Sequence, residues 1–133
     1  MPGYPATMKH FALLTALLAS SAVAQQPDPA PMTLEQTMLL RCSAAFAIVA
    51  GEQERGVESA LAYPPLRERG KEFFVHSGAR LMDERHLSRE EIEAAVRAEA
   101  EQFQSDSARA ADRSRFVAGV MQPCLAALDA SGL

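Results

Sequence analysis

The sequence predicts an all-α protein, a small four-helix up-and-down bundle whose first and last helices are joined by one disulfide. Four segments carry apolar residues at three- and four-residue intervals, the period of one face of a helix. Capping and turn-forming residues separate these segments. The chain has only two cysteines, Cys42 and Cys124, and each lies in an apolar helical segment. Its 133 residues leave room for one domain.

The first predicted helix starts at Thr33, because Thr33 and Gln36 fit a capping box. Gly56 is its expected C-terminal signal. Apolar side chains surround much of this helix, so we expect it to lie centrally in the bundle. The residues that share its main buried face are Leu39, Cys42, Phe46, Val49 and Ala50.

The segment of residues 57–63 fits either a further helical turn or a loop, and the Pro64-Pro65 pair then breaks any helix. The second predicted helix begins at Pro65, which suits a first helical position, and ends at Asp83 or Glu84. Its predicted buried face contains Leu66, Gly70, Phe73, Phe74, Ser77 and Leu81. Gly70 and Gly78 are expected to allow close helix approach, since glycine inside a helix otherwise costs about 1 kcal/mol.

The opposite face of the second predicted helix is the candidate interaction face. It consists of Arg69, Glu72, His76 and Arg80, with Asp83 at its end. The cations Arg67, Lys71 and Arg80 of the same helix fit two interpretations. They form either a docking patch for an acidic partner or a helix surface kept soluble by charge.

The third predicted helix has the clearest boundary in the sequence. Ser88 and Glu91 form a capping box, with Leu87 and Ile92 as a hydrophobic staple. The helix runs to about Gln104, and its narrow apolar stripe predicts that it is the least buried of the four. The preceding turn is short, so the second and third helices are expected to be antiparallel neighbours.

A turn at residues 105–107 is expected to separate the third predicted helix from the fourth. The fourth helix runs to about Asp129, and one of its faces carries Phe116, Val120, Cys124 and Leu128. Pro123 lies inside it. Because proline lacks an N–H and crowds the carbonyl four residues back, at Gly119, a kink is predicted there.

Cys42 and Cys124 are predicted to form a disulfide that ties the first helix to the last. An isolated cysteine pair in an exported chain is typical of a structural bridge, and no C-x-x-C motif indicates redox chemistry. Closing a loop of this size contributes about 4–5 kcal/mol in the chain-entropy model. Two unpaired buried thiols are the alternative.

The N-terminal segment reads as a secretory signal peptide, residues 1–24. Lys9 precedes a short apolar run, and Ala22-Val23-Ala24 provides a cleavage site after Ala24. Met8 is an alternative translation start, and an uncleaved membrane anchor is the alternative function of the segment. Residues 25–32 are then a disordered proline-rich leader, and residues 33–133 are the helical domain. These features predict a periplasmic or secreted protein.

The charge balance narrows the possible partners. The chain carries 13 basic and 17 acidic residues, a net charge of −4. Nucleic acids and anionic membranes attract basic surfaces, so we expect no nucleic-acid binding and no membrane association after signal cleavage. Another protein is the expected partner, and the sequence does not specify an oligomeric state.

The sequence contains no pattern that predicts catalysis. Serines lie outside G-x-S-x-G and S-x-x-K motifs, and there is no glycine-rich phosphate loop. His76 and His86 lack the close spacing of a helical metal pair, although Asp83, Glu84 and His86 form a weak candidate cluster for a divalent cation. We therefore predict no enzymatic activity, no catalytic residues, no metal site and no cofactor.

In size and architecture, the chain resembles small exported bacterial helical proteins with two cysteines. It is similar in the same respects to periplasmic acid-stress chaperones and to immunity proteins that neutralise type VI secretion effectors. No motif of these groups assigns a role to any residue. The expected function is a non-enzymatic protein-binding or structural module. The alternatives are a periplasmic holdase chaperone active in acid stress, and an effector-neutralising immunity-type protein or small-ligand-binding bundle.

Overall fold

The computed structural model describes Gly3 and residues 30–133, and this part of the chain contains five α-helices and no strand. Residues Pro31–Leu133 form one compact unit. The helices are α1 (Leu34–Glu54), α2 (Glu58–Leu61), α3 (Arg67–Arg85), α4 (Arg89–Arg109) and α5 (Arg113–Ala130). The all-α class is confirmed, whereas the up-and-down order of a four-helix bundle stays a prediction. Apart from Gly3, the predicted signal peptide lies outside the described residues, as do residues 25–29 of the predicted leader.

Helix α1 packs against each of the other four helices, which agrees with its expected central place. The capping box at its start is confirmed: the Thr33 hydroxyl accepts from the Gln36 N–H, and the Gln36 side chain accepts from the Thr33 N–H. At its other end, Gly56 adopts a left-handed φ of 71° just beyond the cap residue Arg55. An α1 that is apolar on several sides therefore organises the whole unit.

The segment after α1, which fitted either a helical turn or a loop, contains the single-turn helix α2. One side chain of α1 holds this connection in place. The amide nitrogen of Gln53 donates to the carbonyls of Ala60, Tyr63 and Pro64 over 2.9–3.2 Å, and its oxygen accepts from the Leu66 N–H at 3.1 Å. These bonds satisfy the Tyr63 and Pro64 carbonyls and the Leu66 N–H, whereas the Ala60 carbonyl also accepts from the Tyr63 N–H.

Helix α3 begins at Arg67, two residues later than predicted, with Leu66 at its N-cap. It ends at Arg85, and His86 takes a left-handed conformation with φ 55°. The Ser88 and Glu91 capping box then starts α4 as predicted. Among the four long helices, α4 has the fewest buried residues, so its expected low burial is also confirmed.

The predicted turn at residues 105–107 is wrong, because α4 continues to Arg109. The serine and aspartate that suggested a turn are satisfied within the helix. Ser107 is buried and donates to the Gln104 carbonyl, and Asp106 accepts from the Arg109 side chain. Helix α5 instead begins after Asp112, whose carboxylate accepts from the Arg115 N–H.

The disulfide between Cys42 and Cys124 is confirmed, with the two Cα atoms 5.2 Å apart. Both cysteines are fully buried, and they join α1 to α5 across a sequence separation of 82 residues. They lie in the main apolar core together with Phe46 and Phe73, whose rings meet edge to face at 5.2 Å between centroids. The bridge is therefore part of the core that the helices share.

A second, smaller apolar cluster lies between α1, α3 and α4. Its buried members are Leu40, Leu81 and Ile92. Partly buried side chains pack around it, and they include Leu39 of α1 and Phe74 of α3. The two clusters fix α3 against α1 over most of its length.

Candidate functional site

The residues of the candidate interaction face predicted on α3 have different roles in the structure. Arg69 donates to the terminal Leu133 carbonyl and to the Asp129 carboxylate, each at 2.9 Å, and so binds the end of α5. Glu72 and His76 are exposed, and within the described residues they make no hydrogen bond or ion pair. The predicted face is therefore a charged surface in which Arg69 holds α3 to the end of α5, whereas Glu72 and His76 make no such contact.

Arg80, the fourth residue of that face, joins α3 to the start of α1. Its guanidinium donates to Glu35 at 2.8 Å and to Glu84 at 2.6 Å, and Glu84 also accepts from the Gln36 amide at 2.9 Å. Hydrogen bonds from Arg80 lower the pKa of both carboxyls, and the Gln36 bond adds to this at Glu84. The Arg80 pKa is raised by the same two carboxylates.

A large apolar depression lies next to this charged face, between α1, α3 and the middle of α4. It has a volume of about 350 Å³. Its walls are predominantly apolar, and its lining residues are Ser43, Phe46, Ala47, Ala50, Leu66, Arg67, Gly70, Lys71, Phe74 and Val96. Such an apolar recess with a few polar groups at its edge is typical of a binding site.

The shape of this depression follows from small residues on both sides. Ser43, Ala47 and Ala50 line it from α1, so Phe46 is the one large side chain that α1 contributes to this recess. On α3, a Cβ built on Gly70 would lie 2.9 Å from the Phe46 Cβ, which means that glycine permits the two helices to approach. Val96 of α4 contributes the third side. The recess is thus a gap between three packed helices.

A second depression continues along α3, and the two share Phe74. It has a volume of about 170 Å³ and lies between α3 and the start of α4. Its lining residues are Phe74, Val75, Gly78, Ala79, Met82, Arg89, Ile92 and Glu93. Val75 is 56 % exposed and Met82 is 37 % exposed, so this end of the surface presents accessible apolar side chains. We call the two depressions together the α3 groove.

The charged residues that line the α3 groove are mainly basic. Three are cations, Arg67, Lys71 and Arg89, and one is the carboxylate of Glu93. Arg67 pairs with Glu54 at 3.4 Å on the exposed rim. Lys71 and Arg89 form no ion pair among the described residues. An acidic chain therefore presents a locally basic border around its apolar groove.

Another recess, of about 510 Å³, lies between α1, α4 and the start of α5. Its border is more polar than that of the α3 groove, because Glu52, Arg55 and Arg113 line it. The Glu52 carboxylate is 12 % exposed and accepts from Arg113 at 2.6 Å, so this pair closes α1 onto α5. This ion pair accounts for two of the three charged residues of the recess as a structural link.

Asp83, Glu84 and His86 were expected as a weak candidate cluster for a divalent cation. In the structure, the Glu84 carboxylate instead accepts hydrogen bonds from Arg80 and Gln36. Across residues 30–133, no group of three or more His, Cys, Asp or Glu side chains is arranged to hold a metal ion. Over the same residues, no helix has the length and apolarity needed to cross a membrane.

The sequence pattern did not predict the α3 groove as a site. Phe74 was assigned to the buried face of its helix, whereas it is half-buried and joins the two depressions. Lys71 fitted either a docking patch or a surface kept soluble by charge, and the apolar surface beside it was not predicted. The signal that was available is the pair of small residues Ala47 and Ala50, facing a helix that carries Gly70.

Comparisons with protein-family models, with curated proteins and with solved structures found no match.

Proposed function

We propose that this protein is an exported, non-enzymatic module that binds another protein through the α3 groove. The observation that carries the proposal is the groove itself, an apolar surface along α3 that no described residue covers. Protein-recognition sites commonly consist of an apolar centre with a polar border, and a groove between helices suits an inserted segment. The basic border and the exposed Val75 and Met82 fit this description.

A rigid frame supports a binding role for this surface. The buried disulfide ties α1 to α5, and Gly70 sets the distance between α1 and α3. A preformed groove loses little conformational entropy when a partner binds. We further propose that the four long helices follow the predicted up-and-down order, which places the short α3–α4 turn at one end of the groove.

The proposed location is the periplasm or the extracellular space, after signal cleavage behind Ala24. The Cys42–Cys124 disulfide is compatible with an oxidising compartment. The mass of the protein purified from a periplasmic extract tests both the cleavage site and the disulfide. We expect a mature N-terminus at Gln25 and a mass lower by two hydrogens than that of the reduced form. A full-length cytosolic product would contradict this location.

Site-directed photocrosslinking tests the binding function. A benzophenone amino acid replaces Val75, at the groove, or Ala126, an exposed residue of α5, as the matched control. We expect a discrete adduct from position 75 alone, and we expect Ala47→Gln, which places a polar side chain in the groove, to remove it. The same adducts from positions 75 and 126, or none from either, would refute a docking role for the groove.

A holdase chaperone active in acid is the second candidate, and the Arg80 network favours it. Glu35 and Glu84 hold α1 to α3 beside the cluster of Leu40 and Ile92. Protonation of both carboxylates would remove this link and loosen the cover of the cluster. Binding of an environment-sensitive dye and suppression of client aggregation, compared at pH 3 and pH 7, test this idea. Equal dye binding at both pH values would exclude it.

A further inference from the structure

We infer that the occupant of the α3 groove is an amphipathic helical segment of a partner protein, with apolar anchors in the two depressions and carboxylates facing Lys71 and Arg89. This inference rests on the proposed binding function and adds the chemistry of the partner. It follows from three properties of the groove, which are its length, the position of its apolar recesses and the sign of its border charges.

The length of the groove corresponds to a helix of about four turns. The groove follows α3 from Arg67 to Met82, which is about 22 Å at 1.5 Å per residue. A partner helix of about 15 residues covers this distance. The recesses on either side of Phe74 then accept anchors from successive turns, at the i, i+3, i+4 and i+7 spacing of helix-in-groove recognition.

The walls of the groove favour a helix over an extended strand. Both depressions are bounded by helices, whose backbone N–H and C=O groups are paired within each helix except in the first turns of α3 and α4. Recognition by strand addition needs a free sheet edge for main-chain hydrogen bonds, and the part of the chain from Ala30 onwards contains no strand. A helix satisfies its own backbone groups and offers only side chains to the surface.

The charged residues at the border of the α3 groove favour a partner helix that carries acidic residues at its flanking positions. The chain as a whole is acidic, with 17 acidic against 13 basic residues, yet three of the four charged residues lining the groove are basic. Among the described residues, Lys71 and Arg89 have no carboxylate partner, so their charges are available to a ligand. Electrostatic complementarity of this kind selects the partner and its orientation more than it raises affinity.

Two labelled helical peptides of 15 residues test the inference by fluorescence anisotropy. Both carry leucine anchors at i, i+4, i+7 and i+11, and they differ only in glutamate or lysine at the flanking positions. We expect the glutamate peptide to bind about tenfold more tightly, since two exposed charge pairs become repulsive contacts in the other peptide. Its affinity should fall between 50 mM and 500 mM salt, because salt screens exposed charges.

A charge reversal provides the control. In Lys71→Glu/Arg89→Glu, we expect the preference to change to the lysine peptide. Arg115→Glu, at an exposed position of α5, should leave the preference for the glutamate peptide unchanged. Ala47→Gln should weaken the binding of both peptides. Circular dichroism melts confirm that each variant is folded before binding is measured.

The outcomes separate this inference from the proposed function. Equal binding of the two peptides, or no change of preference in the reversal variant, refutes the acidic partner while a groove-specific crosslink from position 75 still supports protein binding. Binding of neither peptide also refutes the inference. If position 75 gives no specific crosslink either, the binding function itself fails.

Discussion

A Cβ atom added to Gly70 would lie 2.9 Å from the Cβ of Phe46, closer than side-chain carbons approach in proteins. Because the opposing atom is fixed to the backbone of α1, rotation of a side chain cannot relieve the contact. The separation of α1 and α3, and with it the depth of the α3 groove, depends on this glycine.

We therefore predict that Gly70→Ala destabilises the protein, although alanine has the higher helix propensity. Overpacking costs about 1–3 kcal/mol and the propensity gain returns about 1 kcal/mol, so a net loss of about 1 kcal/mol is expected. Gly119→Ala is the matched control, since a Cβ there meets nothing within 4 Å, and it should stabilise by about 0.5–1 kcal/mol. Urea unfolding measures both changes, and equal effects of the two substitutions would contradict the steric argument.

Removal of the disulfide should reduce stability substantially. In Cys42→Ala/Cys124→Ala we expect a loss of about 2–5 kcal/mol in the free energy of unfolding, because the unfolded chain is no longer closed over 82 residues. Urea unfolding of the wild type with and without reductant gives the matched comparison. A midpoint that does not change on reduction would show that the bridge adds nothing to stability.

The contribution of Glu84 should depend on pH in a defined direction. Its pKa in the folded protein lies below the ordinary value of 4.5, so the ionised form stabilises the fold above that pH. This stability is lost as the pH falls through the lowered folded pKa. We expect Glu84→Gln to lower the urea midpoint at pH 7 and to have a smaller effect at pH 3.

The exposed carboxylate Glu101 supplies the control for this measurement, because it makes no hydrogen bond or ion pair among the described residues. Glu101→Gln should shift the midpoint little at either pH. A difference between Glu84→Gln and wild type that stays constant from pH 7 to pH 3 would rule out the linkage to the Arg80 network.

Gln53 should be the residue that orders the connection between α1 and α3. Its side chain makes four hydrogen bonds to backbone groups of this segment, and Gln53→Ala leaves three of those groups without a partner, since only the Ala60 carbonyl has another donor. We expect a loss of about 1–3 kcal/mol and faster hydrogen exchange over residues 57–66. Gln122→Ala, at an exposed site of α5, should change stability by less than about 0.5 kcal/mol. Unchanged exchange in Gln53→Ala would refute this role.

The sequence predicted those features of the fold that local chemistry determines. The capping boxes at Thr33 and Ser88 start α1 and α4 because each needs only four neighbouring residues. Pairing of Cys42 with Cys124 was also predictable, since the chain offers no other cysteine. The expected turn at residues 105–107 failed because Ser107 is buried and bonds within its helix, and only the tertiary surroundings decide this.

The candidate site was less predictable, because it is a gap between elements. The roles of Arg69 and Arg80 depend on Asp129 and Glu35, which are distant in sequence and reach them only through the packing of the helices. Both interpretations of the cations on α3 placed Lys71 at the surface, but the periodicity of single helices cannot show that α4 leaves Ala47 and Ala50 uncovered. The depth of the α3 groove depends on how α1, α3 and α4 pack together.

The bridge between Cys42 and Cys124 also makes most of the chain a covalent ring. Helices α2, α3 and α4 lie wholly inside the segment that it closes. If a protease cuts one peptide bond in the exposed connection at Pro64 or Pro65, the two pieces stay joined through sulfur and the helices cannot diffuse apart. Such a nicked molecule runs as one species until it is reduced, and only then separates into two fragments.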